Sequence, residues 1–139
     1  MSPVVVDSSV AVKWVLREDH AGTARRILAT RHLLAPHLLW AEVGNVLWKR
    51  HRRRESSVDE VRRMLAEIRW LPIATFAHWP LLPAALDLAM SLEQTVYDCF
   101  YLALAEARNS VMVTADRRFH EAVIGSVWSD RIVWIEDVT

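Results

Sequence analysis

Four acidic side chains stand where an isolated charge would be costly. They are Asp7, Glu42, Asp98 and Asp116. Asp98 is the only charged residue from Gln94 to Ala105, and Glu42 lies in a similarly apolar stretch. Removing a carboxylate from water costs several kcal/mol unless the group is paired or binds a metal. These four residues are therefore the first candidates for a functional site.

A shared metal site would explain why such carboxylates occur together. Two like charges ~4 Å apart repel by about 4 kcal/mol at an effective dielectric of 20. A hard divalent cation such as Mg²⁺ or Mn²⁺, which prefers oxygen ligands, removes that repulsion. It would also polarise a phosphoryl oxygen and lower the pKa of a bound water molecule. We rank Asp7 and Asp98 above Glu42 as direct ligands.

Each of the four also has an ordinary structural explanation. An aspartate after a strand, as at positions 7 and 116, is a common turn or cap residue. Asp98 falls in the first turn of a predicted helix, where the helix dipole stabilises a carboxylate. Glu42 could pair with Lys49 in a surface ion pair of ~0–1 kcal/mol. These explanations stay open for each residue taken singly.

Strands and helices alternate along the chain. Short β-branched or apolar runs predict strands at 3–6, 33–35, 73–75, 111–114 and 132–135, whereas helical spacing predicts helices at 21–29, 38–53, 83–92, 96–108 and 117–123. A further helix is predicted to carry Val61, Leu65 and Ile68 on one face. We also expect a helix capped by Ser8 or Ser9 and reaching Leu16, and a turn from His78 to Pro83. Ser57 and Glu60 match a capping box.

This alternation predicts a single α/β domain over residues 1–139, with three layers: a mostly parallel central sheet and helices on both faces. Ligands of such sheets bind beyond the carboxyl ends of the strands, where the strand order reverses. Asp7 follows the first predicted strand and Asp116 the fourth. The topology therefore favours a site at that edge.

Composition narrows the function classes. The 17 basic and 17 acidic residues balance, which argues against a nucleic-acid coat protein but not against a local basic patch. Cys99 is the only cysteine, so no internal disulfide forms, as suits a reducing cytosol. No apolar stretch approaches the ~18 residues that would span a bilayer. We expect a cytoplasmic protein without a membrane association.

Basic and aromatic residues suggest where partners would bind. Arg52 and Arg53 belong to the densest basic run, which is either a phosphate-contacting rim or a solvated helix end. Arg117 and Arg118 directly follow Asp116 and are better placed to touch a scissile phosphate. Most of the seven tryptophans should pack in the core, but an aromatic surface around Trp14, Trp40 and Trp48 is a candidate site for a partner helix.

Four segments together carry a family resemblance. VVVDSS at 4–9, AEVGNVL at 41–47, YDCFYLALA at 97–105 and VTADRRF at 113–119 resemble the motifs of PIN-domain proteins, and at this length those of the VapC toxins of bacterial and archaeal toxin–antitoxin pairs. The resemblance implies a PIN-like fold. It also implies that Asp7, Glu42, Asp98 and Asp116 bind metal, and that Ser8, Asn45 and Thr114 support them.

The resemblance further implies a function. PIN-domain proteins cleave RNA with Mg²⁺ or Mn²⁺, and their VapC members act as the toxins of type II toxin–antitoxin systems. The expected partners are an RNA substrate, a VapB-like antitoxin and a second copy in a homodimer. Some members carry a further acidic residue after the fourth position. Here Arg117 and Arg118 stand there, which leaves the ligands of a second metal open.

Two other functions remain to be weighed. A haloacid-dehalogenase-type phosphatase would need an aspartate two positions after the first, where this chain has Ser9, and the residues of a response-regulator receiver are not visible. The other alternative is a catalytically silent PIN-like module that binds RNA or protein. A module that only binds has no physical need for clustered like charges.

Overall fold

Five short strands form one sheet in the computed structural model, which describes residues 2–16 and 19–139. They are β1 (Val4–Val6), β2 (Leu33–Pro36), β3 (Ile73–Phe76), β4 (Val111–Thr114) and β5 (Ile132–Trp134). Their order is β3-β2-β1-β4-β5, and all neighbours are parallel. In this register Val5 lies between Leu34 and Met112.

Helices connect the strands and cover both faces of the sheet, which confirms the predicted three-layer α/β arrangement. They are α1 (Ser8–Ala11), α2 (Ala21–Thr30), α3 (Leu38–Arg52), α4 (Val58–Arg69), α5 (His78–Leu92), α6 (Val96–Ala107) and α7 (Arg117–Ile124). Short 3₁₀ turns follow at Val12–Trp14, Ser129–Arg131 and Ile135–Asp137. Within the described ranges, no helix has the length and apolar character needed to cross a membrane.

The strand order reverses at β1. From β1 the chain proceeds to β2 and then β3 on one side, and later returns to place β4 and β5 on the other side. The carboxyl ends of β1 and β4 are therefore adjacent at the point where such sheets bind ligands. Asp7 and Asp116 lie just beyond these two ends.

The helix α6 forms the centre of the core. Every residue from Cys99 to Ala105 is buried. A helix that is apolar on all sides is stable only inside a protein, and α6 packs against β1, β2 and β4. The first turn of α6 carries Asp98, which lies close enough to Asp116, at the carboxyl edge of the sheet, to interact with its charge.

Two local predictions were wrong. Helix α1 is capped by Asp7 rather than by Ser8 or Ser9, because the Asp7 carboxylate accepts the Val10 N–H. The α-helix ends at Ala11 instead of Leu16, and the chain continues as a 3₁₀ turn over Val12–Trp14. The predicted turn from His78 to Pro83 is helical, since α5 begins at His78. Pro80 fits its first turn, where N–H groups need no partner, and Pro83 is tolerated further inside. The capping box of Ser57 and Glu60 is confirmed.

The tryptophans divide between core and surface. Trp14 and Trp134 are buried, and Trp40 and Trp128 pack partly against the core. The indole N–H of Trp14 donates to the Ala24 carbonyl at 2.7 Å. Trp14 is therefore a core residue, and the prediction that it joins Trp40 and Trp48 in an exposed partner surface was wrong.

Candidate active site

Asp7 is the most buried of the four carboxylates, with 7% of its surface exposed. Its Oδ1 accepts hydrogen bonds from Ser9 Oγ at 2.5 Å and from the Val10 N–H at 3.2 Å, while its Oδ2 accepts one from Thr114 Oγ1 at 2.5 Å. A carboxylate offers about four acceptor positions. Donors from the described part of the chain fill both positions on Oδ1 and one on Oδ2, so among these residues Oδ2 keeps a position for another ligand.

Hydroxyl groups tie the ends of β1 and β4 together. Thr114 is fully buried, and while it donates to Asp7 its Oγ1 accepts the Asp116 N–H at 3.0 Å. Ser9 Oγ accepts the Ala115 N–H at 2.9 Å as it donates to Asp7. The residues that follow the two strands are thus held in a fixed relative position.

Asp116 combines a capping role with its place beside Asp7. Its Oδ1 accepts the Phe119 N–H at 3.2 Å and so caps α7. The ordinary explanation of a strand-end aspartate as a helix cap therefore holds for both Asp7 and Asp116. Capping occupies one oxygen of Asp116, which is only half-buried. It does not exclude a second role for the other oxygen.

Asp98 enters the site from the first turn of α6. Its N–H donates to Thr95 Oγ1 at 3.2 Å, which begins the helix. Burial raises the pKa of Asp98, the negative charge of Asp116 raises it further, and the Arg118 guanidinium opposes both effects. Asp98 and Asp116 are therefore close enough to repel each other.

Glu42 is held by a tyrosine. Tyr101, on α6, donates a hydrogen bond from its Oη to Glu42 Oε1 at 2.5 Å. The alternative ion pair of Glu42 with Lys49 is not found among the described residues. Burial raises the pKa of Glu42, and the charge of Asp98 adds to the effect. Burial and Glu42 also raise the pKa of Tyr101, which keeps its phenol protonated as a donor.

Repulsion between negative charges couples the pKa values of the carboxylates from one residue to the next. Burial, opposed by the hydrogen bonds of Ser9 and Thr114, raises the pKa of Asp7 to about 6, and Asp116 contributes in the same direction. Asp116 raises the pKa of Asp98, and Asp98 raises that of Glu42. Such a site favours a bound cation or a proton.

The donor set suits a hard divalent cation but does not form a closed shell. All four candidate ligands are carboxylates, and Oδ2 of Asp7 retains an acceptor position. Over residues 2–16 and 19–139, no three acidic, histidine or cysteine side chains are grouped tightly enough to hold an ion as they stand. Water molecules would have to complete the coordination, as Mg²⁺ commonly requires.

The other predicted site residues lie at different distances from the carboxylates. Ser8 and Asn45 line a groove with Glu42. Arg118 acts on Asp98, whereas the Arg117 guanidinium packs over the Trp134 ring with 3.9 Å between Cζ and the ring centre. The remaining two candidates are at the far end of α3.

These two are Arg52 and Arg53, nearly three helical turns beyond Glu42, or roughly 15 Å along the axis. Arg52 packs over the exposed Trp48 ring at 4.7 Å, and Arg53 is exposed just after the helix. At this distance they can contact only phosphates remote from the carboxylates.

Sequence reasoning missed two residues that organise this site. Ser9 was considered only as a helix cap, although a hydroxyl two positions after a strand-end aspartate is a usable signal for a local hydrogen bond. Tyr101 stands one turn after Asp98 in the same apolar stretch, where the sequence shows no partner for its hydroxyl. Its bond to Glu42 joins residues far apart in the chain, and no local pattern contains that information.

Cys99 offers no nucleophile. Its side chain is buried next to Asp98, and burial together with that negative charge raises the pKa of the thiol to about 12. The thiolate, which is the reactive form, is therefore absent near neutral pH. Cys99 is therefore not a candidate catalytic group, and the carboxylates are the candidates that the geometry leaves.

Comparison with known proteins gives a consistent assignment. Residues 4–124 match the family model described as PIN domain. The chain is 32% identical to Ribonuclease VapC9 of Mycobacterium tuberculosis over 118 residues, which is 85% of this chain and 89% of that protein. It is 34% identical to Ribonuclease VapC3 of Pyrobaculum aerophilum over 126 residues, which is 87% and 94%.

A solved structure supports the same assignment. The crystal structure of PAE2754 from Pyrobaculum aerophilum superposes with a TM-score of 0.69 at 25% identity, covering 97% of this chain and 85% of that one. The similarity therefore extends over the sheet and the helices that flank it.

Proposed function

The chain belongs to the PIN domain family, and on that premise we propose that it is a Mg²⁺-dependent endoribonuclease, the toxin of a type II toxin–antitoxin pair. The observation that carries this proposal is the fixed position of Asp7. Ser9 and Thr114 hold its carboxylate beside Asp116 and leave an acceptor position open. The names of the relatives, which are ribonucleases, support an RNA substrate.

Asp7, Asp98 and Asp116 are the residues that would hold Mg²⁺, or Mn²⁺ in its place, and Glu42 would contact the cation through water. When bound, the cation would neutralise the carboxylates and stabilise the charge that develops on the scissile phosphate. Hydrogen bonds within the chain orient two of these carboxylates: Ser9 and Thr114 orient Asp7, and Tyr101 orients Glu42.

Glu42 is the best-placed proton acceptor. Because Tyr101 binds Oε1, the other oxygen, Oε2, can accept the proton of the attacking water. Its raised pKa brings the carboxylate closer to the neutral range in which a general base is effective. Arg118 would attract the substrate phosphate. In-line attack by water on the phosphorus then breaks its bond to the 3′ oxygen and leaves a 5′-phosphate and a 3′-hydroxyl, which takes its proton from solvent.

The proposal includes the partners that a VapC-type toxin would need. A VapB-like antitoxin would neutralise the activity, and two copies of the chain would form a homodimer, each copy acting as a single domain over residues 1–139. An enzyme that cleaves cellular RNA and is controlled in this way works in the cytoplasm.

The direct test is cleavage of RNA. Purified protein is incubated with a mixed pool of single-stranded RNA in Mg²⁺, in Mn²⁺ and in excess EDTA, and compared with Asp98→Asn. We expect cleavage in either metal and at least a hundredfold loss in EDTA or in the variant. Cleavage that survives both treatments would overturn the metal–carboxylate mechanism, whereas RNA binding without cleavage would identify a silent binding module.

The toxin role is tested in cells. Expression of the chain alone should arrest bacterial growth, and Asp98→Asn should relieve the arrest at equal protein levels. Co-expression of the protein encoded by the neighbouring gene should also relieve it. Normal growth during expression of an active nuclease would contradict the toxin role without affecting the enzymatic one.

A further inference from the structure

A groove of about 350 Å³ opens directly beside Glu42. It lies between α3 and the first turn of α6, and its lining includes Ser8, Leu38, Glu42, Asn45, Lys49 and Tyr97. Its volume falls in the range of small-molecule sites. Because Glu42 belongs both to this groove and to the acidic site, whatever occupies the groove is adjacent to the reacting centre.

One wall of the groove is an aromatic ring. Tyr97 precedes Asp98 in the first turn of α6, and 62% of its surface is exposed. The apolar side chain of Leu38 lies among the other lining residues. An exposed ring facing a cleft with apolar walls is a surface on which a nucleobase stacks, and single-stranded RNA is bound in this way.

The opposite wall offers polar groups in a single row. Glu42, Asn45 and Lys49 follow one another at intervals of three and four residues, so they lie on one side of α3. The Asn45 amide is exposed and has both donors and an acceptor for the edge of a base. Lys49 lies roughly 10 Å beyond Glu42 along the helix axis and carries the positive charge of the groove.

We propose that this groove binds the nucleotide next to the scissile phosphate, an inference that rests on the proposed nuclease function. Tyr97 stacks on the base, Asn45 hydrogen-bonds to its edge, and Lys49 contacts the phosphate on its far side. The groove thus determines which base is accepted beside the cleavage point. RNA is favoured over a protein segment because the groove combines the ring of Tyr97, the amide of Asn45 and the ammonium group of Lys49, and because it is continuous with the acidic site through Glu42.

The test compares substitutions of Tyr97 that keep or remove the ring. Steady-state cleavage of a mixed-sequence single-stranded RNA is measured in Mg²⁺, and binding of the same RNA is measured by fluorescence anisotropy in EDTA. Tyr97→Phe should resemble the wild type. Tyr97→Leu should raise KM and Kd by about five- to a hundredfold, the usual effect of losing one stacked base, with a smaller change in kcat.

Two further variants make the test specific. Trp70→Leu removes a ring that is even more exposed (79%) and that lies after α4, before the start of β3, and it should change neither constant. Asn45→Ala should alter the base preference next to the cut, read by sequencing the cleaved ends, while a merely structural role would leave the preference unchanged.

The outcomes separate this proposal from the proposed activity. Metal-dependent cleavage with unchanged KM and Kd in Tyr97→Leu overturns the subsite alone. A wild-type protein that binds RNA through Tyr97 but cleaves nothing overturns the activity and supports the subsite, and absence of both binding and cleavage overturns both. Loss of antitoxin inhibition with unchanged RNA constants would assign the groove to a protein partner and overturn the proposal.

Discussion

Tyr101 Oη donates a 2.5 Å hydrogen bond to Glu42 Oε1 and thereby joins the most buried helix of the molecule to the half-buried face of α3. The same helix brings Asp98 to the site one turn earlier. A single rigid element therefore sets the position of two of the four carboxylates. Removal of the phenol should disturb Glu42 while Asp98 stays in place.

Tyr101→Phe tests this relationship. The variant deletes one oxygen, keeps the ring in the core and leaves Glu42 without its donor. We expect kcat to fall roughly ten- to a hundredfold, as for a misaligned catalytic group, with KM nearly unchanged. Unfolding in urea should show a loss of about 1.5–3 kcal/mol, the usual value of a hydrogen bond to a charged group.

A double-mutant cycle with Glu42→Gln separates positioning from packing. If Tyr101 acts through Glu42, adding Tyr101→Phe to Glu42→Gln should lower kcat by less than twofold. Fully additive losses would mean that the phenol acts independently of Glu42, and would contradict the positioning role.

The stability of the metal-free protein should depend on pH through Asp7. The pKa of Asp7 is near 3.8 in the unfolded chain and about 6 in the folded protein, so the folded state binds more protons between these values. The free energy of unfolding contributed by Asp7 therefore falls as pH rises from about 4 to 6, by up to about 3 kcal/mol.

The measurement is the difference between wild type and Asp7→Asn in urea unfolding at pH 4.5 to 7.5, since the variant lacks the titrating group. The variant should gain stability relative to wild type as pH increases. Asp87→Asn, an exposed substitution on α5, should leave the pH dependence unchanged. A wild type that becomes more stable than Asp7→Asn with rising pH would show that the folded protein favours the charged form.

Asp98→Asn should separate metal binding from folding. The raised pKa of Asp98 means that its charge is unfavourable in the metal-free fold, so the variant should be equally or more stable without metal. Wild type should gain stability with Mg²⁺ as RT ln(1 + [Mg²⁺]/Kd), and the variant should gain little or none. Thermal unfolding across a Mg²⁺ titration measures both, with Asp87→Asn as the matched control. Strong destabilisation without metal would identify Asp98 as a structural residue.

Residue pattern was sufficient for most of the fold because the signals are local. The run Val4–Val6 is short, β-branched and followed by a polar break, which favours a strand, whereas the apolar stretch around Phe100 is long enough to favour a helix. The adjacency of Asp7 and Asp116 followed from the rule that ligand sites lie where parallel strand order reverses. The start of α5 was predicted wrongly because prolines such as Pro80 and Pro83 usually mark turns. A proline in the first turn, however, costs a helix no hydrogen bond.

The hydrogen-bond partners within the site were harder to predict from the sequence. Thr114 was expected to support a carboxylate, but that it bonds Asp7 together with Ser9 depends on the register of β1 and β4. The bond from Tyr101 to Glu42 depends on how α6 packs against α3. Sequence patterns select residue types for such contacts, while the choice of partner is made by tertiary packing.

The arginines should contribute unequally to RNA binding. Arg118 acts on Asp98 and so lies near the place of the scissile phosphate, whereas Arg52 packs over Trp48 at the distant end of α3. Each phosphate contact to a single strand contributes about −0.7 to the slope of log affinity against log salt. Arg118→Gln should therefore reduce that slope by about 0.7 and weaken binding, and Arg52→Gln should change the slope by much less.

Anisotropy titrations of single-stranded RNA in EDTA at several salt concentrations measure this slope, and Arg25→Gln on α2 controls for net charge. An equal loss in all three variants would mean that long-range attraction, rather than a placed contact, accounts for the role of Arg118.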